Sequence, residues 1–127
     1  IFDACRQGYL PEEIFYYIEE GGSFNLKIKN NYTPLHIACK CNHLDIVKFL
    51  LRHNADINGT MNGLLTPLHC SVLAHNVILT QYLLDAGANI DAQTIHGDTA
   101  LDIAKFTKNQ TIIELFPNQS DEEKSDF

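Results

Sequence analysis

Four cysteines and six histidines give this 127-residue chain its main capacity for chemistry. Thiolates and imidazoles are the usual zinc ligands, so the cluster Cys39, Cys41 and His43 is the first candidate for a metal site. Residues two apart on a helix point about 200° away from each other, whereas zinc needs four ligands that converge. The spacing therefore predicts that Cys39 is buried, that Cys41 faces outward and that no metal or other cofactor is held.

Two further histidines, His36 and His69, are separated by 33 residues and stand in the same local sequence. A catalytic base has no reason to recur with a fixed period, so both histidines are interpreted as structural hydrogen-bonding residues. The sequence also lacks a glycine-rich phosphate loop, a Gly-x-Ser-x-Gly turn and a His-Glu-x-x-His pair. We therefore expect a protein that is not an enzyme and has no catalytic residues.

The histidines belong to a stretch that occurs three times, at Thr33–Ala38, Thr66–Ser71 and Thr99–Ala104. A threonine hydroxyl can cap the free N–H groups at a helix start, and proline suits the first helical position. A constant spacing of 33 residues indicates an array of stacked units. Each copy of the stretch is thus predicted to open a helix of one unit.

These residues resemble the ankyrin repeats, whose units open with Thr-Pro-Leu-His. The resemblance implies an all-α repeat solenoid, in which helix-turn-helix units are joined by β-hairpin loops. We expect a repeat domain over 1–117, with a partial repeat at 1–27, repeats at 28–60 and 61–93, and a capping repeat at 94–117. Lys105 stands where the earlier repeats have Cys39 and Val72, as expected of a terminal repeat with a polar outer face. Residues 118–127 are interpreted as an acidic disordered tail.

Composition narrows the class of partner. The net charge is −7, and four acidic residues and one lysine in 118–127 account for −3 of it, which leaves −4 on the repeats. A nucleic-acid partner would favour clustered Lys and Arg, so none is expected. No apolar run is long enough to insert into a membrane.

Cysteines at the small core positions of the repeats favour a reducing compartment, hence a cytoplasmic location, or a nuclear one. We expect a monomer.

The resemblance also indicates where a partner binds. In this family the hairpin tips and the outer face of each first helix line a concave groove, which implies a role in binding proteins. In this chain the groove positions are Arg6, Gln7, Tyr32, Lys40, Cys41, Leu65, Leu73, Ala74, Asp98, Phe106 and Thr107. Tyr32, Leu65, Leu73 and Phe106 are large side chains with no predicted place in the stacking core. We interpret them as a partner-binding apolar patch.

Two functions remain open at this point. One is a non-catalytic interaction module that binds a protein or peptide in the groove. The other is a regulatory or substrate-recruiting domain of a larger enzyme or signalling protein. In addition, some ankyrin repeats are hydroxylated at the asparagine that closes a repeat, and Leu50, Asp56 and Ile57 before Asn58 match the pattern of such sites.

Overall fold

The computed structural model describes residues 29–117, which fold into paired antiparallel helices joined by short loops. The helices are α1 (Pro34–Lys40), α2 (Leu44–Arg52), α3 (Pro67–Leu73), α4 (Val77–Asp85), α5 (Ala100–Phe106) and α6 (Gln110–Ile113). Short 3₁₀ turns at Lys29–Asn31 and Asn62–Leu64 precede the first two pairs. The predicted partial repeat with Arg6 and Gln7, and the predicted tail, lie outside the described residues.

The first helix of each pair begins at its threonine, as the sequence predicts. The hydroxyl of Thr33, Thr66 or Thr99 accepts a hydrogen bond from the backbone N–H three residues later, at 3.1–3.3 Å. Proline follows the threonine in α1 and α3. In α5 alanine replaces proline, but the helix still starts because the Asp102 carboxylate accepts from the Thr99 backbone N–H at 3.0 Å. This reciprocal cap satisfies two donors at the helix start.

The core lies between two layers of helices. Helices α1, α3 and α5 stack side by side, and each packs on the second helix of its own pair. Leu35 and Leu68 from the first layer are fully buried, as are Leu50, Leu83 and Ile112 from the second. Each unit therefore completes its core with side chains from the next unit, which is the structural basis of a repeat array.

The loops between the pairs are hairpins held by few backbone hydrogen bonds. Met61 N–H donates to the Leu65 carbonyl at 3.0 Å, and Thr94 N–H donates to the Asp98 carbonyl at 2.9 Å. Ile95 N–H also donates to the Gly63 carbonyl at 2.8 Å, which joins the tips of adjacent hairpins. Within residues 29–117 these hairpins contain one isolated bridge, Met61–Leu65, and no strand. The hairpins predicted from the family are therefore present in a minimal form.

The tip of the second hairpin corrects an expectation about backbone conformation. Leucine disfavours positive φ, so the sequence predicts that in the turn at Met61–Leu65 the residue with positive φ is Gly63 and not Leu64. Gly63 does have a φ of +83°, but Leu64 also has a positive φ, +62°. Asn31, 33 residues earlier, has a φ of +64°, so the family geometry at this position prevails over the residue preference. Leu64 is consequently held strained at an exposed hairpin tip.

The last pair of helices is less buried than the others. Leu101 is partly exposed, whereas its equivalents Leu35 and Leu68 are both 1% exposed. Lys105 is exposed at the position that Cys39 and Val72 occupy as fully buried residues. A polar side chain at this position suits a unit with an open outer face. The repeat boundaries themselves remain predictions.

Candidate functional site

The 33-residue period places nine side chains in three rows along one surface, which we call the groove face. The hairpin feet contribute Tyr32, Leu65 and Asp98; the ends of the first helices contribute Lys40, Leu73 and Phe106; the residues that follow them are Cys41, Ala74 and Thr107. Successive members of a row belong to repeats whose first helices stack side by side. The rows therefore run across the repeats and form a continuous surface.

The recurrent histidines fix the hairpin feet of this surface. The His36 ring Nε2 lies 2.9 Å from the Leu65 carbonyl, and the His69 ring Nε2 lies 3.1 Å from the Asp98 carbonyl. Both rings are fully buried, and each joins the first helix of one repeat to the hairpin of the next. The prediction that these histidines make structural hydrogen bonds is confirmed. Their role is to position two residues of the groove face.

The contacts of the His69 ring show which of its two nitrogens donates and which accepts. The backbone N–H of Thr66 donates to His69 Nδ1 at 3.1 Å, so Nδ1 is unprotonated and Nε2 carries the proton that it donates to Asp98. Burial lowers the pKa of His69, and the hydrogen bond to the Asp98 backbone opposes that effect only in part. The fold therefore requires the neutral ring.

This requirement predicts a pH dependence of stability. A lowered pKa in the folded state means that His69 stabilises the fold above its unfolded pKa of about 6.5, and that this contribution is lost as the pH falls. A His69→Asn variant should be less stable than the wild type at pH 7.5, and the difference should narrow towards pH 5. Urea denaturation at both pH values measures it. Parallel stability curves for the two proteins would contradict the assignment.

A cavity of about 380 Å³ opens on the groove face between the second and third predicted repeats. Its wall is largely apolar and consists of Tyr32, Lys40, Met61, Leu65, Cys70, Leu73 and Ala74. Five of these residues are predicted groove positions. The other predicted positions described by the structure, Cys41, Asp98, Phe106 and Thr107, do not line this cavity.

Cys70 is a small residue in the wall of this cavity. The equivalent positions in the neighbouring repeats hold Ile37 and Ile103, whose side chains are larger. Cys70 itself is 7% exposed, and burial raises the pKa of its thiol to about 12. It therefore acts as a small neutral wall residue and not as a nucleophile. Cys70 and Met61 were not predicted as site residues, although the sequence shows a cysteine where the neighbouring repeats have isoleucine.

Lys40 places a positive charge at the rim of the cavity. Its Nζ donates a hydrogen bond to the Tyr32 hydroxyl at 3.1 Å and lies 5.3 Å from the centre of the Tyr32 ring. The hydrogen bond to Tyr32 is the main cause that raises the pKa of Lys40. Lys40 is exposed, so this charge is available to a ligand in the groove.

The four large apolar residues predicted to lie outside the core do not behave alike. Leu73 is 47% exposed and Phe106 is 87% exposed, as predicted. The same expectation is only partly correct for Tyr32 and Leu65, which are half-buried and pack against the core because the hairpin folds back onto the helices. Two exposed apolar residues that the sequence analysis missed, Leu64 and Ile95, lie on adjacent hairpin tips.

The structure places the two cysteines of the cysteine–histidine cluster in different environments. Cys39 is fully buried in the core, while Cys41 is partly exposed beyond the end of α1. In the part of the chain that the structure describes, no three His, Cys, Asp or Glu side chains are arranged to hold a metal ion. Over the same residues, none of the helices has the length and apolar character needed to cross a membrane.

Asn58 lies at the connection between the second and third predicted repeats and links them through its side chain. Its Oδ1 accepts a hydrogen bond from the Asn89 backbone N–H at 2.9 Å, and its own backbone N–H donates to the Asp56 carboxylate at 2.9 Å. The side chain is exposed, whereas Leu50 of the predicted hydroxylation pattern is fully buried. An enzyme that contacts both side chains needs both of them exposed, so the chain must open locally before it is modified.

We expect an asparaginyl hydroxylase that acts on ankyrin repeats to add one oxygen atom to Asn58. Because Leu50 is buried, a destabilised variant such as Leu68→Ala should be modified faster than the wild type. Intact-mass analysis after incubation with the enzyme measures the gain, and Asn58→Ala is the control that should gain nothing. Absence of the added mass in both the wild type and Leu68→Ala would exclude this modification.

Comparison with known proteins agrees with this architecture. The model of the ankyrin repeats (3 copies) matches residues 1–94. The palmitoyltransferase ZDHHC17 of Homo sapiens is 45% identical over 83 residues, which are 64% of this chain and 13% of that protein. The palmitoyltransferase ZDHHC13 of Homo sapiens is 37% identical over 101 residues, 76% of this chain and 16% of that protein.

A relative of another kind covers more of the chain. The BRCA1-associated RING domain protein 1 of Caenorhabditis elegans is 36% identical over 121 residues, which are 94% of this chain and 17% of that protein. The chain thus spans less than a fifth of the length of the relatives that it matches. The family match covers well over half of the chain, and the stacked helix pairs have the geometry predicted from the repeat. The chain therefore belongs to the ankyrin repeat family.

Proposed function

We propose that this chain binds a protein or peptide across its groove face and takes no part in catalysis itself. Ankyrin repeats are protein-interaction modules, so the general role follows from the family. The observation that supports the location is the largely apolar cavity beside the half-exposed Leu73. A ligand side chain that enters the cavity would bury apolar surface without disturbing the stacking core.

The proposal also covers the class of partner, the oligomeric state of the chain and its location. A net charge of −7 disfavours nucleic acid, so the proposed partner is a protein. We also propose that the isolated domain is a monomer. Cys39 and Cys70 are buried between the helices, a use of cysteine that favours a reducing, cytoplasmic environment. These features are parts of the proposal that binding and localisation experiments must test.

A second candidate function places this module inside an enzyme. Two of the relatives described above are palmitoyltransferases, and in such a protein the repeats would recruit or regulate substrates for a catalytic domain elsewhere in the polypeptide. The similarity to the BRCA1-associated RING domain protein shows that related repeats also occur in a protein of another kind. The full-length transcript decides this candidate: a palmitoyltransferase or other catalytic domain in the same reading frame supports it, and the absence of any catalytic domain excludes it.

The Cys70→Ile variant tests whether the cavity binds the partner. Isoleucine is the residue at the equivalent positions 37 and 103, so it should fit the repeat while it fills part of the cavity. We expect stability to be unchanged or slightly higher, and affinity for a peptide selected from a random display library to fall about tenfold, the effect of about 1.4 kcal/mol. Differential scanning fluorimetry and fluorescence anisotropy measure the two effects.

The Cys70→Ala variant is the matched control, because it removes the thiol but leaves the cavity open. It should bind the selected peptide nearly as the wild type does. If Cys70→Ile folds and also binds like the wild type, the cavity is not the binding site. If no displayed peptide binds the wild-type chain above background, the proposed peptide-binding function is wrong.

A further inference from the structure

The groove face has opposite charges at its two ends. Among its nine side chains, Lys40 and Asp98 are the two that are charged, and both are exposed. They belong to the first and last of the three described repeats, so one complete repeat separates them. That intervening repeat contributes Leu65, Leu73 and Ala74, which are all apolar. Along the direction in which the repeats stack, the surface is therefore positive at one end, apolar in the middle and negative at the other end.

Both ends of this pattern are held in place by the fold. Lys40 is oriented by its hydrogen bond to Tyr32 at 3.1 Å. At the other end, the backbone of Asp98 is fixed by the buried His69 ring and by Thr94 N–H, which donates to the Asp98 carbonyl. Lys40 belongs to the helix-end row and Asp98 to the hairpin-foot row, but Lys40 Nζ contacts Tyr32 of the hairpin-foot row, so the two charges are separated mainly by two repeat steps.

The repeat spacing sets the length of chain that can contact both charges. Neighbouring packed helices lie about 8–10 Å apart, so two repeat steps cover about 16–20 Å. An extended peptide advances about 3.3 Å per residue, and this distance corresponds to about five or six residues. Alternate side chains of an extended strand point to the same face, so charges that both face the groove are six residues apart. The side chains between them that also face the groove lie at the second and fourth positions after the first charge.

We propose that the ligand of the groove face is an extended segment with an acidic residue at one end, a basic residue six positions away and two apolar residues between them. The acidic residue pairs with Lys40, and the basic residue pairs with Asp98. The apolar residue nearer Lys40 enters the cavity beside Leu73, and the other lies on Phe106. This inference rests on the proposed peptide-binding function and specifies the chemistry of its ligand.

Synthetic peptides with the pattern Glu-x-Leu-x-Leu-x-Lys, and the reversed order Lys-x-Leu-x-Leu-x-Glu, test the pattern. The controls are the like-charged peptides with Glu at both ends or Lys at both ends. We expect the wild-type chain to bind one mixed-charge peptide about fivefold more tightly than either like-charged peptide at low ionic strength. The preference should shrink in about 0.5 M NaCl, because exposed charges are screened.

The paired substitution Lys40→Glu and Asp98→Lys exchanges the charges at the two ends and leaves the net charge unchanged. We expect this variant to prefer the mixed-charge peptide of the opposite order. Equal binding of all four peptides by both proteins, or a preference that the exchange does not move, overturns the charge pattern but leaves peptide binding intact. The pattern is also wrong if none of the four binds while a library-selected peptide does. If neither the designed nor the selected peptides bind, the proposed function itself fails.

Discussion

The Leu68→Ala variant should lose about 2–5 kcal/mol of unfolding free energy, the largest stability effect that we expect from a single core substitution. Leu68 is 1% exposed on α3, and α3 packs on both α1 and α5 as well as on α4. Truncation therefore leaves a cavity with described repeats on both sides, and those repeats have little freedom to close it. Urea denaturation followed by circular dichroism measures the loss.

Leu101→Ala is the matched control for this prediction. Leu101 occupies the equivalent position in the last repeat, but it is already partly exposed. The same truncation therefore removes less buried surface, and we expect it to cost about 1–2 kcal/mol. A larger loss at Leu101 than at Leu68 would contradict the stacking order, because it would place the better-packed leucine at the end of the array.

The fold of the described residues could be predicted from the sequence because its signals are local and repeated. Thr33 and Thr66, each followed by proline, fix the starts of α1 and α3 with hydrogen bonds inside a single turn. The period then transfers each assignment to the next repeat. The assignment fails at Leu64, where the hairpin imposes a positive φ that the residue type alone disfavours.

The candidate site could be predicted only in part. The period places Leu73 and Phe106 at equivalent exposed positions, and the structure confirms that exposure. The cavity is walled by residues of two neighbouring repeats, and one of them, Cys70, is smaller than the isoleucine at the equivalent positions. Such a volume is a property of tertiary packing, and no local pattern in the sequence measures it. The half-burial of Tyr32 and Leu65 against the core has the same origin.

The second large effect concerns binding. We expect the double substitution Leu73→Ser and Phe106→Ser to leave the free energy of unfolding within about 0.5 kcal/mol of the wild type, because both side chains are exposed. Lys40 occupies the same row in the preceding repeat, so the fold does not need an apolar residue at this position. Affinity for the library-selected peptide should fall about 100-fold, since large apolar residues in the middle of an interface contribute about 2 kcal/mol or more.

Ile78→Ser provides the control for this double variant. Ile78 is 70% exposed and lies on α4, a helix of the second layer that contributes no residue to the groove face. Its substitution should change neither stability nor affinity. If the double variant unfolds, Leu73 and Phe106 belong to the core and the groove face is wrongly assigned. If it folds and binds like the wild type while Ile78→Ser loses binding, the partner contacts the surface formed by the second helices. Thermal unfolding and anisotropy titrations on the three proteins separate these outcomes, because only the predicted arrangement combines a stable double variant, weakened binding and an unaffected Ile78→Ser variant.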